Sequence, residues 1–165
     1  MNFEEKLEKA RNIQDMFEIV KDMVWTYLKR DQAGIMVGLS DLGAFGSGFL
    51  GAFYSLDGNM IVINKRPLET IKVKNPKLYK PYLFHVILHE YIHSLGLFDE
   101  NQTRILVYEA SKQFFGENNI VTQMALSMDR FIPELTFPEQ GFIEPENINI
   151  EFLPGIDKKG TSYIM

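Results

Sequence analysis

Cysteine is missing altogether from the 165 residues, and histidine occurs only three times. Without cysteine there is no disulfide framework and no thiolate metal site, so any zinc centre here has to be built from imidazoles and carboxylates. Apolar runs of about eighteen residues, the length that spans a bilayer, are also missing. The opening residues Met1-Asn2-Phe3-Glu4-Glu5-Lys6 lack the basic stretch and following apolar stretch of a signal peptide. The expectation is a soluble, cytoplasmic protein with no membrane partner. An excess of positive charge is lacking too: 17 Lys and Arg against 22 Asp and Glu leave a formal net charge of −5, which argues against a nucleic-acid-binding surface. What is plentiful is apolar side chain, 45% hydrophobic and 13% aromatic. That is enough to bury a core in one compact domain over residues 1–165.

Two of the three histidines fall in one stretch, His89-Glu90-Tyr91-Ile92-His93-Ser94-Leu95-Gly96-Leu97-Phe98-Asp99, which reads H-E-x-x-H-x-x-G-x-x-D. On a helix, residues four apart stack on one face, so the imidazoles of His89 and His93 project side by side and can share one Zn²⁺ at about 2.0–2.1 Å each. Glu90 lies about 100° further round the helix, beside the ion and free to polarise water. Gly96 permits the turn that ends the helix. Asp99 arrives just beyond that turn, where a carboxylate can close a three-ligand site with the fourth position open to water. His85 lies one turn before His89. The rise from His85 to His93 is about 12 Å, too far for all three to hold one ion, so His85 is read as a core residue or a support for the ligands.

This stretch resembles the zincin metallopeptidases, and Gly96 and Asp99 match the longer metzincin pattern, in which the last ligand is usually His and in some families Asp. The resemblance covers eleven residues. It implies zinc held by His89, His93 and Asp99, with Glu90 as general base in peptide-bond hydrolysis and a peptide or protein as substrate. Peptide deformylases share H-E-x-x-H but take a third ligand from cysteine, which this chain does not have. Other carboxylates compete with Asp99. Asp99-x-x-Gln102 also reads as a capping box for a helix over 100–115. Glu100 follows immediately and can pair with Arg104. Glu109 would suit the gluzincins, where a separate helix supplies a glutamate. Metzincins place a methionine turn beneath the zinc, whereas Met124 and Met128 sit in a helical pattern and read as core. Tyr108 or Tyr163 could stabilise an oxyanion.

Two other function classes share parts of this pattern. A bacterial ribosomal-RNA-processing family of metal-dependent nucleases uses H-x-x-x-H-x-x-G-x-D-H, and this chain lacks the final His. A non-catalytic or latent protein with a structural metal is the other.

The rest of the chain reads as an α+β domain. Over residues 1–96 it comprises an N-terminal helical region, a mixed or antiparallel sheet and the active-site helix; over 97–165, helices and an extended tail. Residues 2–30 are helical with a break near Arg11-Asn12, and Met16, Phe17, Val20, Met23 and Val24 form an apolar stripe. Gly34–Leu39 and Phe49–Tyr54 read as strands, with Asn59–Asn64 returning from a turn at Asp57-Gly58. The Gly43–Gly48 loop has no lysine of the phosphate-binding kind. By the zincin resemblance, Asn59–Asn64 or its hairpin partner forms the rim of the cleft, where an extended peptide pairs with the free edge.

Lys72, Lys74, Lys77 and Lys80 form a basic cluster read as a solvated face. Pro76 marks a helix start and Pro81 a kink, so the motif helix is placed from Lys80-Pro81. A further helix is expected over 120–131, with extended pieces at Ile148–Leu153 and Ser162–Ile164. Oligomeric state is not legible in the sequence.

Overall fold

The break near Arg11-Asn12 separates two helices, α1 (Phe3–Lys9) and α2 (Ile13–Leu28). The structure is a computed structural model, and it describes residues 1–43, 49–133, 135–136 and 148–156. Asn12 makes the break because it caps α2: its side chain accepts from the Asp15 amide at 2.8 Å, satisfying a donor the helix cannot pair. The apolar stripe of α2 faces inward, with Met16, Phe17, Val20, Met23 and Val24 all buried.

The chain then enters a four-stranded mixed sheet of β1 (Met36–Ser40), β3 (Ala52–Ser55), β4 (Met60–Asn64) and β6 (Glu151–Phe152), in the order β3-β4-β1-β6. β1 and β4 are parallel, with Met36 opposite Met60. β3 runs antiparallel to β4 and lies at the edge. The strand expected over Phe49–Tyr54 is divided at Gly51: β2 (Phe49–Leu50) pairs in parallel with β5 (Leu135–Thr136), and only β3 joins the main sheet. Of the expected Ile148–Leu153 strand, Glu151–Phe152 pairs, antiparallel to β1. That pairing needs a glycine opposite it. A Cβ on Gly38 would sit 2.4 Å from Ile150 Cγ2 and 3.3 Å from the Glu151 carbonyl. Ser162–Ile164 and most of the Gly43–Gly48 loop lie outside the described residues.

Two asparagines tie the sheet together. Asn59 adopts the left-handed φ of 47° that Asn tolerates better than most residues. Its side chain accepts from Tyr54 Oη at 2.7 Å and Gln32 Nε2 at 3.3 Å, and donates to the Ala33 carbonyl at 3.1 Å. Asn64 is fully buried, and its amide bonds the Leu42 and Arg66 N–H groups and the Leu50 and Gly43 carbonyls. A buried polar side chain so completely satisfied carries little desolvation penalty and fixes one arrangement of strands.

Asn64 also caps a helix absent from the sequence expectation, α3 (Lys65–Lys74). Pro67 sits in its first turn, where a missing N–H costs nothing. Lys72 and Lys74 occupy its last turn, where positive charge complements the helix dipole. Part of the basic cluster is thus a helix terminus. Pro76–Leu78 form a single 3₁₀ turn, and α4 runs from Tyr79 to Ser94. Pro81 falls in the first turn of α4, so the expected start at Lys80-Pro81 moves back to Tyr79.

From Tyr82 to Ser94 every residue of α4 is buried, because α4 is packed by α2, β3, α5 (Glu100–Phe115) and α6 (Ile120–Leu126) together. The helix expected over 120–131 stops at Leu126. Ser127 has non-helical dihedrals, its hydroxyl bonds Asp129 at 2.6 Å, and one 3₁₀ turn, Met128–Arg130, follows, the local competition that serine offers a helix. Met124 is in the core. Among the described residues no helix is long and apolar enough to cross a membrane.

Candidate metal centre

The i,i+4 spacing in α4 does what helical geometry requires: the rings of His89 and His93 lie with centroids 4.9 Å apart. His85, one turn earlier, keeps its ring 6.1 Å from that of His89. It is fully buried, and burial first, then the neighbouring His89, pushes its pKa down to about 3. His85 belongs to the support of the site.

The turn between α4 and α5 supplies the third group. Leu95 and Gly96 donate to the Ile92 and His93 carbonyls, Gly96 turns with a φ of +94°, and Arg30 donates to the Leu95 carbonyl at the helix C-terminus. Asp99 then caps α5. Its side chain accepts from the Gln102 amide at 2.9 Å, its carbonyl accepts from the Thr103 amide at 3.0 Å, and the residue is exposed. Glu100, first residue of α5, is the carboxylate brought to the histidines. Its Oε1 lies 2.6 Å from His89 Nε2 and its Oε2 lies 3.2 Å from His93 Nε2. Arg104, one turn along, approaches Glu100 Oε1 at 3.7 Å.

One donor atom from each of His89, His93 and Glu100 lies within 4.8 Å of the others, the one such group among the described residues. Donors at 2.0–2.2 Å from a tetrahedral ion stand roughly 3.4 Å apart, inside the 4.8 Å that gathers this set; the chemistry of His, His and Glu suits a divalent ion, which would replace the present contacts of 2.6 and 3.2 Å. Asp99, the first sequence choice for the third position, is placed at the cap of α5. Glu109 is exposed further along α5. Glu100, ranked behind Asp99 from the sequence, is the residue that the fold gathers.

The electrostatics follow from burial. Desolvation holds His89 below its ordinary pKa in spite of Glu100. Burial also works against a charged His93, but the carboxylates of Glu100 and Glu90 and the Leu97 carbonyl outweigh it, and the net shift is upward. Burial would raise Glu100; the bonds and charges of His89 and His93 overcome that and bring it to about 2. Glu90 is fully buried, and desolvation raises it to about 8. Neither of its carboxylate oxygens has a hydrogen bond of ordinary geometry among the described residues. The Tyr54 amide, on the edge strand β3, acts on it as a donor and offsets a little of the rise. A buried carboxylate so weakly compensated beside a three-donor cluster is costly and has the marks of a functional group. Tyr54 is the group at this site that the sequence did not single out. Tyr108 lies beneath Lys112, whose Nζ is 6.0 Å from the ring centroid, and Tyr163 falls outside the described residues.

Comparison with protein-family models, curated proteins and solved structures returns no match. The site therefore rests on its own geometry: a buried His89, His93 and Glu100 group on two helices of an α+β fold, able to hold a metal ion.

Proposed function

We propose that this protein is a zinc-dependent metallopeptidase of the zincin kind, with His89, His93 and Glu100 as the metal ligands and Glu90 as general base. The observation that carries the reading is the pairing of a His, His, Glu donor set with a separate, fully buried carboxylate one residue from the first ligand. Asp99 has a supporting role in this reading: by capping α5 it fixes the turn in which Glu100 sits.

When bound, zinc supplies Lewis acidity, polarising a peptide carbonyl and bringing the pKa of water toward neutrality. The chain does the rest. His89 and His93 present nitrogen from the buried stretch of α4, the packed support that metal ligands need. Glu90 takes a proton from the attacking water on a carboxylate oxygen and hands it to the leaving amine; a pKa raised toward neutrality suits both halves of that task. The edge strand β3 lies against α4 and runs antiparallel to β4. An extended peptide laid alongside β3, in the manner of strand addition, would be held next to Glu90 through Tyr54.

The test is hydrolysis of casein or of quenched peptides by the zinc-loaded protein. Activity abolished by a chelator, restored by zinc and absent in Glu90→Gln supports the reading. Cleavage retained by folded, zinc-loaded Glu90→Gln removes Glu90 from its role. The depth of the site favours one second reading. His89 is 1% exposed and Glu90 0%, as suits an ion that serves structure. Zinc that cannot be withdrawn without unfolding, with no hydrolysis of any peptide, would decide for it.

A further inference from the structure

We propose that Thr103 is a positioning residue for the metal centre, acting through the Leu97 carbonyl to set the orientation and tautomer of His93. The inference rests on the reading of His89, His93 and Glu100 as ligands and adds a residue that no motif contains.

A histidine that binds metal through Nε2 works best when its other ring nitrogen donates to a fixed acceptor, which sets both the tautomer and the ring plane. Here that acceptor is a backbone carbonyl in the turn after the helix: His93 Nδ1 lies 2.7 Å from the Leu97 oxygen. This peptide belongs to a short turn behind Gly96, whose φ of +94° marks a flexible residue type, and the turn alone leaves the direction of the carbonyl open.

Thr103 closes that freedom. Its hydroxyl donates to the same Leu97 oxygen at 3.1 Å, and its Oγ1 lies 3.4 Å from His93 Nδ1. The side chain is fully buried, so water does not compete for the bond. Its own backbone is fixed, since the Thr103 amide donates to the Asp99 carbonyl at 3.0 Å in the first turn of α5. The result is a closed circuit: α5 carries both Glu100, which meets His93 at Nε2, and Thr103, which through Leu97 holds the opposite nitrogen. One helix terminus thereby sets the ligand and the orientation of its neighbour. A β-branched side chain suits the task because its rotamer is stiff.

The experiment measures Zn²⁺ affinity by chelator competition for the native protein, Thr103→Val and Thr103→Ser, with Co²⁺ absorption spectra of all three. Valine keeps the shape and removes the hydroxyl; serine keeps the hydroxyl. The expected result is an affinity loss of about 10- to 100-fold in T103V, the range seen when the group orienting a metal-bound histidine is removed, with an altered Co²⁺ spectrum and recovery toward native in T103S. Should T103V not fold, the bond is read in the native zinc protein by ¹⁵N NMR. A Thr103 hydroxyl proton in slow exchange, together with a His93 Nδ1 proton coupled to the Leu97 carbonyl carbon, supports the proposal, and a Thr103 hydroxyl in fast exchange with water overturns it. Native zinc affinity and spectrum in folded T103V overturn the positioning role while leaving the metal site standing. No zinc affinity in the native protein overturns the metal reading itself, and this inference with it.

Discussion

Helices α2 and α4 are each sixteen residues long, and they pack against each other, yet they are built to different ends. The buried positions of α2 are all apolar, on one face, while Trp25 and Thr26 look outward. α4 has no outward face after Tyr82, and among its buried residues are His85, His89, Glu90, His93 and Ser94. A core helix optimised for stability would not carry a fully buried glutamate with so little to offset its desolvation. The difference between them is the kind of side chain each buries: α2 covers α4, and α4 holds polar groups out of water.

The strongest test of that contrast is Glu90→Gln, which keeps the shape and removes the charge. On the proposed mechanism, the zinc-loaded variant loses its general base, and hydrolysis is expected to fall by about 10²- to 10⁴-fold. In the metal-free protein the same change stabilises, and the sign follows from the raised pKa. Between the ordinary 4.5 and about 8 the folded protein keeps a proton that the unfolded chain has released, so native stability falls as pH rises through that window and levels off above it. Denaturant curves of metal-free protein therefore show E90Q gaining on the native chain from pH 5 to pH 8. A gap that does not widen with pH would contradict a buried protonated Glu90. The acid limb has a separate source: Glu100, lowered to about 2, adds stability above pH 4.5 that is lost as pH falls toward 2.

On the other side of the comparison, Phe17→Ala in α2 removes a fully buried ring packed edge-on to Tyr91 at 5.9 Å. It should cost about 3–5 kcal/mol in chemical denaturation, and zinc affinity of the fraction that folds should stay within a few-fold of native. A selective loss of zinc affinity without loss of stability would mean that α2 is part of the site. The smallest effect is expected at Asp99. Asp99→Ala removes the cap of α5 and should lower stability by about 1 kcal/mol, read as a lower thermal midpoint.

How much of this was legible follows from how local each feature is. His89, Glu90 and His93 were readable because a helix repeat fixes their relation within one turn of chain, and the start of α5 was readable from the Asp99-x-x-Gln102 cap. The third donor was harder, since Asp99 and Glu100 differ only in which one caps the helix and which one begins it. The sequence offered both the ligand and the cap reading of Asp99, and the peptide direction at residue 99 separates them. α3 was hidden by its polar composition and Pro67. That β3, and not β4, forms the sheet edge beside Glu90 is a matter of strand order, which residues distant in sequence decide. Thr103 carried no signal at all, because its partner is a backbone carbonyl.

On the proposed reading the fold, and not the motif spacing, selects the third donor. Zinc content, by elemental analysis, of native protein, Glu100→Ala and Asp99→Ala purified side by side decides it. The prediction is about one zinc per chain in the native protein, retained in Asp99→Ala and lost in Glu100→Ala. Zinc lost in folded Asp99→Ala and kept in Glu100→Ala, or no zinc in folded native protein offered the metal, would contradict it.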